Sequence, residues 1–169
     1  MHRLILFRHA KTEARVPDGE DIDRALVGRG RADAAHMGRI LARAGLAPDL
    51  VLVSPAVRAR ETWTLASPAF PGARVEVRDG LYEATPEEVA EELMTGAAAA
   101  DTVMVVGHNP SLQELAVNLL IDGGGAAADI ERLSAGFPTA TAATFALDDA
   151  GPARLEGLFH VKDFDREVG

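Results

Sequence analysis

Two histidines and two arginines follow three short apolar runs of the chain, and their side chains suit phosphoryl chemistry. Arg8 and His9 come directly after the first run. Arg58 lies shortly after the second run, and His108 follows the third. In an open α/β sheet, ligands bind beyond the carboxyl ends of the strands, so such residues meet at one edge. Guanidinium groups match phosphate oxygens bidentately. The pattern therefore predicts a pocket for a doubly charged oxyanion such as a phosphoryl group.

His9 is the candidate nucleophile of this pocket. Histidine attacks phosphorus through the lone pair of one ring nitrogen, so its other nitrogen should donate to a fixed acceptor. We expect that acceptor to be a backbone carbonyl in the turn after His9. Attack would form a transient phosphohistidine and divide one displacement into two steps. Arg8, Arg58 and a protonated His108 would neutralise the equatorial oxygens without Mg²⁺.

The order of the apolar runs predicts the fold that brings these residues together. Short apolar runs alternate with amphipathic stretches, which is typical of βαβ units around a mostly parallel sheet, an α/β fold. Three runs have the length of buried strands: Leu4–Phe7, Leu50–Val53 and Thr102–Val106. Thr141–Leu147 and Arg154–Val161 are two weaker candidates.

Local signals mark the ends of two helices between these strands. Apolar residues of Arg31–Ala44 fall on one helical face, and Gly45 can close that helix in a left-handed conformation. Thr85 and Glu88 form a capping box that opens a helix running to about Thr95.

Ser54 and Asn109 each stand directly before a proline and directly after a predicted strand. A polar side chain before a proline is typical of a helix start, with the proline at the first helical position. We therefore expect both side chains to cap helices.

The length and composition indicate a single domain over residues 1–169. A chain of this size buries enough surface to form a stable core without disulfides or metal ions. Its content of 47% hydrophobic and 25% charged residues is ordinary for a globular protein. The charge-rich stretch Glu13–Arg24 and the glycine-rich stretch Asp122–Asp129 are predicted surface loops. Asp163–Gly169 is predicted to be a frayed polar tail.

The charge balance and the residue types exclude several function classes. A formal net charge of −9 argues against binding to nucleic acid or to a membrane surface. The absence of cysteine removes disulfides and thiolate chemistry. The first apolar run is too short for a signal peptide or a membrane span, so we expect a cytoplasmic protein. His9 and His108 lack an obvious third ligand, so no metal and no cofactor are expected. His2, His36 and His160 are expected to play no part in the chemistry.

Four sequence blocks resemble the motifs of the histidine phosphatase superfamily, also called phosphoglycerate mutase-like. They match in order and spacing at Leu6–Ala10, Asp21–Gly30, Val53–Thr62 and Val105–Pro110. Phe137–Thr139, before a strand, is also similar to the small SixA-type phosphohistidine phosphatase branch of that family.

The chain departs from the family's commonest pattern at two positions. Ala10 stands where a glycine is usual, and Ala25 where a proline is usual. Both residues are small, so we expect activity to be retained, although Ala10 is less free than glycine to adopt positive φ.

The resemblance implies a three-layer α/β/α fold with a mostly parallel central sheet. It also implies a metal-independent hydrolase acting on phosphate bonds, in which His9 is phosphorylated. Arg8 and Arg58 would bind the phosphoryl group, and His108 would complete the pocket. A phosphorylated protein carrying phosphohistidine is the first choice of substrate, with inorganic phosphate as product.

Two further residues are candidates from the same resemblance. Glu83 lies in the region where larger members carry a carboxylate that protonates an alkoxide leaving group, and it is equally consistent with a surface glutamate before a capped helix. Arg24 falls near the family's Arg-Pro-Leu block and is a candidate for substrate binding.

Two other functions stay open at this point. The same chemistry could serve a small phosphate ester as a metabolite phosphatase or a mutase. Alternatively, Arg8 and Arg58 could belong to a catalytically silent module that binds phosphorylated partners, although pure binding would not require both histidines.

Overall fold

The computed structural model of the protein describes residues 1–15, 17–96, 100–147 and 152–164. Six strands form one sheet: β1 (Arg3–Arg8), β2 (Leu50–Val53), β3 (Arg74–Val77), β4 (Thr102–Gly107), β5 (Ala142–Ala146) and β6 (Arg154–Phe159). Their order across the sheet is β3-β2-β4-β1-β5-β6. β3, β2, β4 and β1 run parallel to one another, and β5 is antiparallel to both of its neighbours. The mostly parallel sheet predicted from the sequence is confirmed.

Helices cover both faces of this sheet, which gives the three-layer α/β/α arrangement. They are α1 (Gly28–Arg43), α2 (Val57–Ala66), α3 (Pro86–Gly96), α4 (Ser111–Asp122), α5 (Ala127–Ala135) and α6 (Val161–Phe164). Successive side chains of a strand point to opposite faces, so each central strand feeds two cores. In β1, Leu4 and Leu6 pack with α3, α4 and α5, whereas Ile5 and Phe7 pack with α1, α2 and α6.

The buried strands were predicted more accurately than the peripheral elements. β1, β2 and β4 match their predictions within one residue at each end, and the two weaker candidates are β5 and β6. β3 was not predicted, because it is an edge strand whose side chains are mostly exposed and lack a long apolar run. α5 was also missed, and it begins inside the stretch predicted as the loop Asp122–Asp129.

The predicted loop at Glu13–Arg24 and the predicted tail each contain a short helical segment. A 3₁₀ turn covers Asp21–Asp23 within the loop. Asp163 belongs to α6 instead of a frayed tail, and residues 165–169 of that predicted tail lie outside the described residues.

Two predicted helix ends are confirmed. Gly45 adopts φ 73° after α1, the left-handed conformation that glycine enters without steric cost. At the start of α3, the backbone N–H of Glu88 donates to Thr85 Oγ1 and the backbone N–H of Thr85 donates to the Glu88 carboxylate. This reciprocal pair is the capping box.

The capping roles predicted for Ser54 and Asn109 are wrong. α2 begins three residues after Ser54, and α4 is preceded by Pro110 as its N-cap residue, with no side-chain cap at either start. Both side chains are instead turned toward the carboxyl edge of the sheet. Ser54 Oγ lies 2.7 Å from a ring nitrogen of His108, and the Asn109 amide donates to the carbonyl oxygen of Phe137 at 3.2 Å.

The start of α1 packs directly on the turn that follows His9. A Cβ atom on Gly30 would lie 2.1 Å from the carbonyl oxygen of Lys11, closer than two such atoms can approach. The glycine therefore permits a close contact between α1 and this turn. The contact holds the chain after His9 against a rigid helix.

Candidate active site

The two predicted histidines meet at the carboxyl edge of the sheet. β1 and β4 are neighbours with Arg8 paired to Gly107, so the residues that follow them lie side by side. The ring centroids of His9 and His108 are 5.1 Å apart with an interplanar angle of 57°. Both residues are buried, at 8% and 9% exposure. We call the region formed by Arg8, His9, Arg58 and His108 the cationic cup.

A hydrogen bond fixes the orientation of the His9 ring. His9 Nδ1 lies 2.8 Å from the carbonyl oxygen of Ala10, the kind of acceptor expected from the sequence. A carbonyl oxygen can only accept, so Nδ1 carries the proton and Nε2 keeps its lone pair. The Ala10 N–H in turn donates to Thr62 Oγ1 at 3.0 Å, which ties this turn to α2.

The environment of His9 keeps its ring neutral. Burial is the main cause that lowers the pKa of His9 from 6.5 to about 4. The Ala10 hydrogen bond opposes this shift, and the charges of Arg58, Arg8 and Arg24 contribute to it. A neutral ring has the lone pair that nucleophilic attack needs. His9 therefore combines a fixed tautomer with a free nitrogen.

Arg8 is held by the backbone of a distant segment. Its Nη1 donates to the carbonyl oxygen of Phe137 at 2.7 Å, and burial lowers its pKa, although arginine stays charged in proteins. The Arg8 Nε atom is buried and has no hydrogen-bond partner within the described residues. That donor is therefore free to bind an anion.

Arg58 is anchored by Asp21 from the loop that the sequence predicted to be at the surface. Its Nη1 donates to the Asp21 carbonyl oxygen at 2.7 Å, and its Nη2 donates to Asp21 Oδ2 at 2.9 Å. Its guanidinium carbon lies 5.9 Å from the centre of the Tyr82 ring. Arg58 is 7% exposed, so these contacts fix the orientation of a buried cation.

Asp21 is a site residue that the sequence reasoning did not assign. Besides Arg58, its carboxylate accepts from Arg24 Nη1 at 2.9 Å and from the Tyr82 hydroxyl at 3.1 Å. The Arg24 hydrogen bond, with the Arg58 charge and the Tyr82 hydroxyl, lowers the pKa of Asp21 to about 2. It stays ionised near neutral pH and cannot act as a proton donor there. Its spacing of three residues from Arg24 was the available signal.

His108 is held on one side and open on the other. Its Nε2 lies 2.7 Å from Ser54 Oγ, whereas its buried Nδ1 has no hydrogen-bond partner within the described part of the chain. The edge of the ring faces Tyr82, with centroids 6.0 Å apart. Burial, with the nearby His9 and Arg58, lowers the pKa of His108 to about 3. The expectation of a protonated His108 is therefore wrong for the unliganded protein. The physical reason is that a buried imidazolium would stand among other cations.

Glu83 and Arg24 occupy different places relative to the cationic cup. A cavity of about 450 Å³ opens beside it, and Glu83 lines this cavity together with Arg58 and His108. The exposed Glu83 adopts φ 54°, a left-handed conformation uncommon outside glycine. Arg24 does not line the cavity. It donates to the Asp21 carboxylate and to the Glu13 carbonyl oxygen, so it helps to position the aspartate that anchors Arg58.

Comparison with known proteins agrees with this geometry. A family model described as histidine phosphatase superfamily (branch 1) matches residues 4–101. The chain belongs to the histidine phosphatase superfamily. It is accordingly a phosphate-hydrolysing enzyme, and its structural relatives place it in the SixA-type branch.

An uncharacterised protein of Mycobacterium tuberculosis strain H37Rv is 40% identical to this phosphatase, over 91% of this chain and 98% of its own length. A SixA-type structure from Agrobacterium tumefaciens, assigned as a phosphohistidine phosphatase, is 30% identical. The match has a TM-score of 0.82 and covers 94% of this chain and 97% of that one. A phosphoglycerate mutase from Plasmodium falciparum shares the fold at a TM-score of 0.66 and 19% identity, covering 94% and 90% of the two chains. No helix within the described residues of the phosphatase is long and apolar enough to cross a membrane.

The two buried histidines should make the stability of the phosphatase depend on pH. Below pH 6.5 the unfolded chain binds protons on these rings that the folded protein does not bind. Stability is therefore fully present above pH 6.5 and falls as the pH drops toward about 4 for His9 and about 3 for His108. Each ring contributes a slope of up to about 1.4 kcal/mol per pH unit. Urea unfolding at several pH values from about 3 to 6.5 measures how the free energy of unfolding depends on pH. His9→Gln and His108→Gln should each reduce this slope.

His2→Gln, which changes an exposed histidine, is the matched control for these two variants. An identical slope in the wild type and in both buried-site variants would contradict the prediction.

Asp21 should act as a positioning residue for Arg58. Asp21→Ala removes the carboxylate anchor of a buried guanidinium, and misplacement on the ångström scale costs about 10- to 100-fold in rate. We expect kcat on an aryl phosphate to fall by that factor, with a smaller change in KM because the cationic charge remains. The matched control is Asp23→Ala, an exposed acid of the same 3₁₀ turn. Equal kcat values for the two variants would show that the anchor does not matter.

Proposed function

We propose that this phosphatase hydrolyses phosphohistidine on proteins through a covalent phosphohistidine on His9. In the first step, His9 Nε2 attacks phosphorus and the bond from phosphorus to the substrate imidazole nitrogen breaks. The substrate ring has already taken a proton from solvent on its other nitrogen, so it departs as neutral imidazole. In the second step, water attacks the phosphorus atom of phosphorylated His9, which releases inorganic phosphate and restores the neutral ring.

The cationic cup supplies the charge neutralisation that this proposal needs. The free Nε of Arg8 and the anchored guanidinium of Arg58 would donate hydrogen bonds to the equatorial oxygens of the phosphoryl group. An incoming dianion would favour protonation of His108, so its ring could donate to a phosphoryl oxygen once substrate is bound. Phosphoryl transfer depends mainly on such alignment and charge stabilisation.

The observation that favours phosphohistidine as substrate is the charge on the wall of the neighbouring cavity. Asp21, Glu83 and Glu114 line it together with Arg58 and His108 of the cationic cup. Protonation of its other ring nitrogen makes a phosphohistidine ring cationic before the imidazole leaves, and carboxylates stabilise that cation. The name given to the A. tumefaciens relative, a SixA phosphohistidine phosphatase, is consistent with this substrate.

The nucleophile is tested by trapping the intermediate. His9→Ala should abolish turnover of an aryl phosphate and of a phosphohistidine peptide, because it removes the ring nitrogen that attacks phosphorus. Rapid acid quench of the wild type with a labelled donor, followed by peptide mapping, should place an acid-labile, base-stable phosphate on His9. Labelling of another residue, or full activity of His9→Ala, would refute the mechanism.

The role of Glu83 depends on the leaving group, and this dependence tests the substrate assignment. General acid catalysis is worth about 10²- to 10⁴-fold for a poor alkoxide leaving group, but an imidazole can be protonated beforehand. Glu83→Gln should therefore slow hydrolysis of an alkyl phosphate about 100-fold and hydrolysis of a phosphohistidine peptide by only a few-fold.

Glu87→Gln, an exposed glutamate of α3, is the matched control for Glu83→Gln. A wild-type kcat/KM that is higher for small metabolite esters than for the phosphohistidine peptide would instead favour a metabolite phosphatase.

A further inference from the structure

A second cavity, of about 340 Å³, is lined by cationic side chains and lies near the turn that follows His9. It is lined by Lys11, Arg29 and Lys162 and also by Thr139, Thr141 and His160, and the Thr141 hydroxyl lies 2.9 Å from His160 Nδ1. We call it the lysine cavity. Lys11 and Lys162 are the two lysines of the whole 169-residue chain, and both line this cavity. Such a concentration is unexpected on a protein of net charge −9.

Within the described part of the chain, few carboxylates balance the positive charge of the lysine cavity. Lys11 and Lys162 are exposed and form no ion pair with any carboxylate of the described residues. Arg29 faces Asp33 at 3.7 Å, a long contact in which the Arg29 side chain is 74% exposed. One carboxylate therefore stands against three cations, which leaves a local excess of positive charge.

The lysine cavity is connected to the cationic cup through short stretches of backbone. Lys11 comes two residues after His9, so their Cα atoms are at most about 7 Å apart. The Ala140 N–H donates to the His9 carbonyl oxygen at 3.1 Å. The Phe137 carbonyl oxygen binds Arg8, whereas Pro138, Thr139 and Thr141 line the lysine cavity. A substrate segment that places its phosphoryl group on His9 would therefore pass close to these lysines.

The cavity beside the cationic cup and the lysine cavity differ in the charged groups that line them. Carboxylates of Asp21, Glu83 and Glu114 line the first, whereas ammonium groups line the second. A lysine ammonium group is a point charge on a flexible side chain. Two such groups can therefore each pair with a different carboxylate of a bound peptide. The Thr139 hydroxyl can add a hydrogen bond without adding charge. The arrangement is complementary to a peptide with acidic side chains near its phosphorylated histidine.

We propose that the lysine cavity binds an acidic segment of the phosphorylated protein substrate beside the phosphohistidine. This inference rests on the proposed function, because it identifies which proteins the phosphatase selects. Contacts with Lys11 and Lys162 would bring substrates with acidic flanks to a protein whose overall charge repels them.

Two synthetic phosphohistidine peptides test the docking role. One carries glutamates around the phosphorylated histidine, and the other carries glutamines at the same places. At low ionic strength the kcat/KM of the wild type should be about tenfold higher for the acidic peptide than for the glutamine peptide. Two or three exposed ion pairs can contribute an effect of this size. The Lys11→Glu/Lys162→Glu variant should lose or invert this preference. The ratio is measured within one preparation, so partial loss of folding or of general activity cancels.

The matched control is Arg43→Glu/Arg60→Glu, which changes the net charge equally at two exposed arginines outside both cavities. It should keep the wild-type preference. An equal preference in the wild type and the lysine variant, or equal loss in the control, would overturn the docking role while leaving the proposed function intact. Failure of the wild type to hydrolyse either peptide, with aryl phosphate turnover retained, would refute the proposed function itself.

Discussion

The hydrogen bond from His9 to the Ala10 carbonyl oxygen is the interaction on which the site depends. Without it, the ring could adopt either tautomer, and the lone pair would not have a defined direction. The bond in turn requires a rigid turn after β1. Thr62 holds the Ala10 amide from α2, and the close contact of Gly30 with the Lys11 carbonyl holds the turn from α1. The two helices on this face of the sheet therefore serve both the core and the nucleophile.

Charge balance is the second constraint on the site. A pocket for a phosphoryl group needs buried cations, yet buried cations repel each other and are costly to desolvate. The protein meets this requirement with Asp21, which neutralises part of the charge of Arg58 and Arg24, and with the Phe137 carbonyl, which binds Arg8 without neutralising it. The two histidines stay neutral, so the unliganded pocket avoids further positive charge.

The same electrostatic reasoning extends to the mouth of the site. Carboxylates line the cavity beside the cup and ammonium groups line the lysine cavity, so a substrate that reached both would meet groups of both charges as well as an attraction for its phosphate. Surface charges of this kind can orient a partner before contact, and salt screens them over about 8 Å at physiological ionic strength.

The sequence by itself determined the strands β1, β2 and β4, the capping box at Thr85, and the set of four residues that forms the cationic cup. Each of these depends on local pattern, since a buried strand needs an apolar run and the carboxyl edge of a parallel sheet follows from strand order. Only the tertiary structure decided the roles of Ser54, Asn109 and Asp21, the neutral state of His108 and the existence of the edge strand β3. Those features depend on which distant groups a side chain meets and on how far it is removed from water, and neither quantity is encoded in the residues next to it in the chain.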